Sequence, residues 1–429
     1  MTGSDEPSAA SELSSLSGSG FERLGPSGLP AGGSISHRLE PESGEAIAES
    51  LKILQAHEEP VLVAGGMTKL ESMNPVRDTR ILLSCRGLSG IDELDAEDGV
   101  VRARSGTPLA EMAAAADRAG WLLPLDPPGE GGTLGGALAT GMCGPRRRGF
   151  GAVRECVLGL ETVLGSGERT RCGARVVKNV TGYDMAKLYV GSFGTLAVIE
   201  GAWLRLQPKP RSTRSLALSP SRGDEPFALA LEAARRTSAR AVALVSADLA
   251  SSEPGLGPTP ELDARWKLMV EFSGDEAVTR EDAEWLGGRG PSVPLGPEAI
   301  DALGGLQASK EERTLRARIH LLPSALRIVC ERLQQAGLRL VVYPEPAVIY
   351  AFFEPEAGAD PSWLPAKLAV IEEVTARLAA PWVVESLPAW GYAAHDVFMG
   401  GFATPLMETL KGRFDPGRIL NRGCLIGVL

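Results

Sequence analysis

Asp126-Pro127-Pro128-Gly129-Glu130-Gly131-Gly132-Thr133-Leu134-Gly135-Gly136 sets five glycines among eleven residues and then passes into an Ala-rich segment ending near Gly141. Successive glycines let backbone N–H groups converge on an anion, because no Cβ blocks the approach and positive φ is freely available. Three further loops share this texture. Ala64-Gly65-Gly66-Met67-Thr68-Lys69 follows the strand-like Pro60-Val61-Leu62-Val63, and Thr181-Gly182-Tyr183-Asp184 and Gly191-Ser192-Phe193-Gly194-Thr195-Leu196 come later. Any one of them reads as a turn. Four within one stretch fit a long ligand carrying a pyrophosphate, held by backbone rather than by cationic side chains.

The charge balance agrees with that reading. The 429 residues carry 44 Lys and Arg against 54 Asp and Glu, a formal charge of −10, which argues against a protein that grips a nucleic-acid backbone. Hydrophobic residues at 44% and charged residues at 23% allow large cores. No apolar run reaches the roughly 18 residues of a membrane-spanning helix, and Met1–Glu6 lacks the basic-then-apolar order of a secretory signal. Six sparse cysteines, none in a Cys-x-x-Cys pair, disfavour a disulfide scaffold, a zinc ribbon or an iron–sulfur ligand set. The expectation is a soluble, reduced, cytoplasmic protein.

Along the chain, residues 1–36 are rich in Ser, Gly, Pro and Ala and read as a disordered tail. A helix is expected over Glu45–Ala56 and a strand over Gly99–Gly106. Thr107 offers an N-cap, with Pro108 at the first helical position. Glu155–Leu164 and Glu168–Arg171 read as a hairpin about Gly165-Ser166-Gly167, and Ala197–Leu206 as another strand. Beyond Pro210 helices and strands alternate, which predicts an α+β sheet with helices on one face. The expected domains are 37–212, 213–388 and a C-terminal segment 389–429.

Several chemistries lack their signature. Gly-x-Gly-x-x-Gly, a Walker-type Gly-Lys-Ser/Thr and Gly-x-Ser-x-Gly are all missing, and the four histidines (37, 57, 320 and 395) stand apart, so no metal site is expected.

The run Val177-Lys178-Asn179-Val180-Thr181-Gly182-Tyr183-Asp184, then Lys187-Leu188 and Gly191 to Ile199, resembles the family of FAD-binding subunits of glycolate oxidase (glycolate dehydrogenase). So do Asp126–Arg147, Val157-Leu158-Gly159 and Asp415-Pro416 to Asn421. That family lies within the vanillyl-alcohol-oxidase-type (PCMH-type) FAD-binding fold. The likeness covers about residues 40–210 and 404–425. It implies an α+β architecture: a two-subdomain FAD-binding domain, then a smaller α+β cap or substrate domain, with the C-terminal segment returning to complete the flavin site.

By the same resemblance Ala64, Gly65, Gly66, Met67, Thr68 and Lys69 wrap the FAD pyrophosphate. Pro128, Gly129, Thr133, Gly135, Gly136, Thr140, Gly144 and Arg146 approach the phosphates and the ring. Tyr183, Asp184, Gly194, Thr195, Val198 and Ile199 line the cofactor from the second subdomain, and Asn421 returns to the flavin ring. A reduced flavin gathers negative charge at its pyrimidine edge, where Asn421, Arg146, Arg147 and Lys178 are candidate donors. Ala64 and Met67 depart from the usual Arg and third Gly of the first loop. A positive φ at Met67 would cost about 1–3 kcal/mol. Arg422 and Ala197 replace a usual Pro and Gly. No histidine lies between residues 60 and 80, and Cys143 is a weak attachment point, so the FAD is expected to be non-covalent.

The residues of catalysis are not legible. His395, Arg146 and Lys178 are the candidates, and His320 reads as a packed or surface histidine. The resemblance implies a larger FAD-binding hydroxy-acid dehydrogenase subunit and an iron–sulfur subunit as partners, a small 2-hydroxy acid as substrate, and attachment to the inner face of the membrane through partners. Three readings stand: an FAD subunit of a glycolate/2-hydroxy-acid dehydrogenase complex, a self-sufficient FAD oxidoreductase for another hydroxy acid or alcohol, and a flavin-holding electron relay.

Overall fold

The computed structural model describes residues 8–28, 34–76, 78–175, 184–220, 225–260, 265–308, 314–400 and 404–425. The first unit comprises α1 (Ala10–Ser15), β1 (Glu22–Gly28), β2 (Ser34–Leu39), α2 (Gly44–Ala56), β3 (Val61–Ala64) and β4 (Ile81–Ser84), with the sheet ordered β1-β2-β4-β3. β2 and β3 both run parallel to β4. Ser43 caps α2 by accepting the N–H of Ala46, and Ile47, Leu51 and Leu54 recur on its buried face at helical spacing.

The tail expectation fails over residues 8–28. Leu13 of α1 is fully buried beside Leu51 and Leu54, and β1 pairs antiparallel with β2. One buried Leu contributes about 1.5–3 kcal/mol. Enough apolar surface is therefore covered here to order a segment whose composition suggests none.

The second unit contains β5 (Ile91–Asp95), β6 (Val100–Arg104), α3 (Leu109–Arg118), β7 (Trp121–Leu122), α4 (Leu134–Thr140), α5 (Arg147–Phe150), α6 (Val153–Cys156), β8 (Val157–Leu164), β9 (Arg169–Gly173), α7 (Ala186–Tyr189), β10 (Ala197–Arg205) and β11 (Gln207–Pro208). Its antiparallel sheet is ordered β5-β6-β10-β8-β9, and β7 pairs with β11. Pro108, not Thr107, is the N-cap of α3. The Thr107 hydroxyl instead bridges the backbone of Gly90, accepting its N–H at 2.9 Å and donating to its carbonyl at 3.0 Å.

The remaining chain builds a nine-stranded antiparallel sheet from β12 (Ser212–Leu218), β13 (Ala239–Ser246), β14 (Trp266–Gly274), β15 (Ser292–Leu295), β16 (Leu315–His320), β17 (Arg339–Tyr343), β18 (Val348–Phe353), β19 (Trp382–Ser386) and β20 (Phe398–Gly400), ordered β15-β12-β14-β13-β17-β18-β16-β19-β20. Alternate residues of its strands feed two separate cores. Val242 and Leu244 pack with α8 (Pro226–Ala234), α10 (Glu276–Gly287), α12 (Leu326–Gln335) and α13 (Trp363–Ala376). Ala243, Val245 and Met269 pack with α9 (Ala247–Ser252) and α11 (Pro297–Leu306) on the opposite face. The one-face expectation is thereby corrected, because the inner strands are apolar on both sides and need two covers. Finally α14 (Thr404–Phe414) carries the chain back to the first unit, where Val61 donates to Ile419 O and Asn421 donates to Val61 O.

Candidate functional site

The glycine loops meet. β3 ends at Ala64, and the following loop lies back to back with the second loop: a Cβ on Gly65 would strike Thr133 Oγ1, and one on Gly66 would strike the carbonyl oxygen of Gly131. Thr133 caps α4, accepting from Gly136 N, and Gly141 ends that helix at φ +61°. Gly135 N donates to Ser105 O at 2.7 Å and Leu134 N to Thr107 O at 2.9 Å, fixing the loop on the second sheet. From the other side Gly191 N donates to Leu138 O and Phe193 N to Ala139 O.

Between these loops lies a cavity of about 650 Å³, walled by Ala64–Leu70, Pro127–Gly129, Thr133, Gly136, Thr140, Phe193 and Asn421. An adjoining recess of about 380 Å³ shares Ala64, Gly65, Gly136 and Phe193 and adds Gly135, Gly194 and Ile199. Among the described residues Lys69 is the only charged side chain on the larger cavity's wall, and its ammonium donates to Pro128 O. Three non-glycine residues on that wall hold left-handed backbone: Met67 at φ +56°, Phe193 at +54° and Asn421 at +44°. Such conformations cost about 1–3 kcal/mol each and concentrate at ligand clamps. Bare glycine backbone and a wall with a single lysine and no other charged side chain among the described residues fit a dinucleotide whose phosphates are held by amides.

The C-terminal return is locked by two side chains. Asn421 Oδ1 accepts Val63 N at 2.6 Å, while Nδ2 donates to Phe193 O at 2.7 Å and Val63 O at 3.4 Å. Its amide protons are therefore committed to backbone. This corrects the expectation of a donor to the ring: Asn421 joins β3, the Gly191–Leu196 loop and the C-terminal segment. Behind it the buried Lys411 donates to Thr195 O at 2.8 Å, Leu420 O at 2.6 Å and Asp415 Oδ2 at 2.7 Å. Asp415 in turn accepts from Ile419 N and Leu420 N. The four-residue spacing of Lys411 and Asp415 at the end of α14 was the available signal for this clamp.

Other expected residues stand elsewhere. Thr195 and Val198 are buried behind the loop rather than on the cavity wall, and Asp184 is half-exposed, facing Lys187. Arg146 turns away. Its guanidinium forks onto Glu271 at 2.9 and 3.1 Å and reaches Asp301 at 2.6 Å, so no donor is directed at the cavity. Arg240 also binds Glu271. Burial would raise the Glu271 carboxyl, but the two guanidiniums hold it below its usual range. His395 lies after the short turn Gly391–Ala393, donates its backbone N–H to Gly391 O, and lines neither the cavity nor the recess. Lys178 and Tyr183 lie outside the described residues.

A second cavity, about 380 Å³, opens where α4 ends. The Gly141–Arg147 loop, with Cys143, Gly144 and Pro145, forms one wall, and Arg318, Tyr343, Val348 and Tyr350 of the nine-stranded sheet, with Glu345 and Pro346 of the turn between β17 and β18, form the other. Arg318 Nε donates to Glu385 at 2.6 Å and Nη1 to His320 Nε2 at 2.8 Å. Burial, with Arg318 and Arg147 nearby, pushes the His320 imidazole down to about 4, so it is neutral at pH 7 and carries its proton on Nδ1. The Tyr343 hydroxyl accepts from Gln307 at 2.7 Å. Sequence reasoning raised Arg147 for the flavin edge but missed Arg318, Tyr343 and Tyr350, which lie in ordinary strand patterns. Among the described residues no cluster of three or more His, Cys, Asp or Glu could hold a metal ion, and no helix is long and apolar enough to cross a membrane.

Residues 35–173 match the FAD binding domain family. The chain is 37% identical over 179 residues to glycolate oxidase subunit GlcE of Escherichia coli, covering 41% of this chain and 51% of that protein. It is 34% identical over 198 residues to a D-lactate dehydrogenase of Archaeoglobus fulgidus, covering 46% of this chain and 44% of that protein. The matched stretch thus spans about half the length of these relatives. Over nearly its whole length the chain shares its fold with alkyldihydroxyacetonephosphate synthase, at TM-score 0.70 and 14% identity over 97% of this chain and 85% of that one. p-Cresol methylhydroxylase with substrate bound is similar at TM-score 0.69 and 14% identity, over 97% and 96%.

Proposed function

We propose that this chain, whose residues 35–173 belong to the FAD-binding domain family, is an FAD-dependent oxidoreductase subunit of the glycolate/2-hydroxy-acid dehydrogenase type. The observation that carries this reading is the convergence of three glycine loops and the C-terminal Asn421 on one cavity, whose only charged wall residue among those described is Lys69. Bound FAD supplies a two-electron acceptor for a hydride and a store from which electrons pass onward. The chain's own residues do the holding. Gly65 and Gly66 admit close backbone approach, Gly129 and Gly136 bare the facing loop, and Lys69 adds a single positive charge. Asn421 and the Lys411–Asp415 pair keep the three segments in register.

The FAD is non-covalent in this reading. Burial raises both cysteines beside the cavities, Cys85 on the recess wall to about 12 and Cys143 on the second cavity above its usual range, so neither favours the thiolate that attachment would use. The proposed cofactor residues are those on the cavity and recess walls, with Gly144 on the second cavity. The proposed domains are the expected ones, with structure added at residues 8–28. A larger flavin subunit and an iron–sulfur subunit are proposed as partners, in a cytoplasmic assembly held at the membrane by those partners. The E. coli relative is itself named as a subunit.

The test is the purified chain reconstituted with FAD under anaerobic conditions. Bleaching of the flavin by glycolate or D-lactate supports turnover in this chain. A yellow chain that bleaches only with its partners present makes it an electron relay, and a chain that cannot be loaded with FAD overturns the reading.

A further inference from the structure

The second cavity has polar groups with no protein partner. Among the described residues the Arg147 guanidinium makes no hydrogen bond or ion pair, although it is partly buried and lines the wall. Tyr350 is 4% exposed and lines the same wall, and its hydroxyl likewise has no partner among the described residues. The ring is packed into the sheet while the hydroxyl opens onto the hollow, where it is available to donate to a bound acceptor. Burial, and Glu385 nearby, push the Tyr350 phenol well above its usual range, which keeps its proton in place for donation.

The charges around the hollow do not cancel. Glu345 is drawn to Arg148 at 2.9 Å, and Glu385 is shared by Arg318 and Arg316, so among the described residues no carboxylate pairs with Arg147. Arg318 has two of its nitrogens engaged, by Glu385 and His320, which leaves Nη2 for a further acceptor. The remaining walls are small or apolar: Gly141, Gly144, Pro145, Pro346 and Val348. The hollow abuts the larger cavity, since Thr140 lines one and Gly141 the other.

We infer that this cavity is a binding site for a small carboxylate, held between Arg147 and Arg318 with a hydrogen bond from the Tyr350 hydroxyl. This inference rests on the oxidoreductase reading and gives that reaction its substrate-anchoring residues. Guanidinium forks match a carboxylate in two-point geometry, and a phenol donates a third bond.

The experiment is calorimetric titration of the FAD-loaded full chain with oxalate, which is not oxidised by the enzyme's proposed reaction, and in parallel with inorganic phosphate. The variants are Arg147→Met and Tyr350→Phe, neither of which removes a hydrogen bond within the described protein, with thermal melts confirming the fold. Wild-type protein is expected to bind oxalate more tightly than phosphate. Arg147→Met should weaken oxalate binding by about tenfold or more, and Tyr350→Phe by roughly three- to tenfold. Oxalate affinity unchanged in both variants, or phosphate bound more tightly than oxalate, overturns the site. Flavin content, read from the visible spectrum of the same samples, separates the two ideas: a chain without FAD refutes the oxidoreductase reading, while variant-sensitive oxalate binding still supports this site.

Discussion

Replacing Asn421 by Ala removes the side chain that ties three segments of the larger cavity together. The lost bonds are those to Val63 N at 2.6 Å and Phe193 O at 2.7 Å. Each ordinary hydrogen bond contributes about 1 kcal/mol, and a buried partner left unpaired costs about 1–3 kcal/mol, so the pair amounts to roughly 2–4 kcal/mol. Asn421 also holds φ +44°, which Ala tolerates less well by about 1 kcal/mol. Asn421→Gly deletes the same bonds without that conformational cost and should be milder by about that amount. At a few degrees per kcal/mol, the Ala variant is expected to melt roughly 5–10 °C lower. Because the Gly191–Leu196 loop loses its anchor, FAD should also bind about tenfold or more weakly, a loss of about 1.4 kcal/mol. Melting curves and flavin dissociation constants of wild type and both variants provide the measurement. An Ala variant with wild-type melting temperature and FAD affinity would refute the reasoning.

Lys267 is fully buried, and its ammonium donates to Leu256 O at 2.8 Å and Gly257 O at 2.7 Å; burial lowers it to about 8. The unfolded chain therefore binds a proton that the folded chain has shed between pH 8 and about 10.4, so this group makes stability rise with pH across that window. Denaturant titrations should show a smaller rise in Lys267→Met, and an equal rise would dismiss the assignment. Glu271→Gln removes the carboxylate that Arg146 and Arg240 share, while Arg146 keeps Asp301, and should destabilise by about 1.5–3 kcal/mol, with faster hydrogen exchange in residues 126–146; unchanged exchange there would show that Arg146 does not brace the loop. Since the carboxyl of Glu271 is held below its usual range, its stabilisation is complete above about pH 4.5 and is lost as acid protonates it in the folded state. Acid precipitation of the loaded protein should leave a white pellet and a yellow supernatant, and colour kept in the pellet would contradict non-covalent FAD.

The legible parts of the site were those encoded by local backbone chemistry. Glycine clusters declare themselves because few other residues accept their conformations, and α4 is framed in sequence by Thr133 and Gly141. Residues 8–28 were misread because composition measures how much apolar surface a segment has, not whether α2 offers a surface on which Ala9 and Leu13 can be buried. Arg146 was misread for a related reason. An arginine in a glycine-rich loop beside an anion site invites a binding role, but its partners Glu271 and Asp301 lie more than a hundred residues away.

By itself the sequence determined the glycine-lined loops, the strands that present them and the acidic, cation-poor character that suits an amide-held phosphate ligand. All of these follow from φ preferences and side-chain periodicity within a few residues. Only the tertiary structure decided which donors remain available. Asn421 is committed to Val63 and Phe193, Arg146 to Glu271, and Arg147 faces Tyr350 across a hollow with neither of them paired among the described residues. Whether a polar group is satisfied depends on partners brought together by the packing of sheets, and no local pattern records those partners.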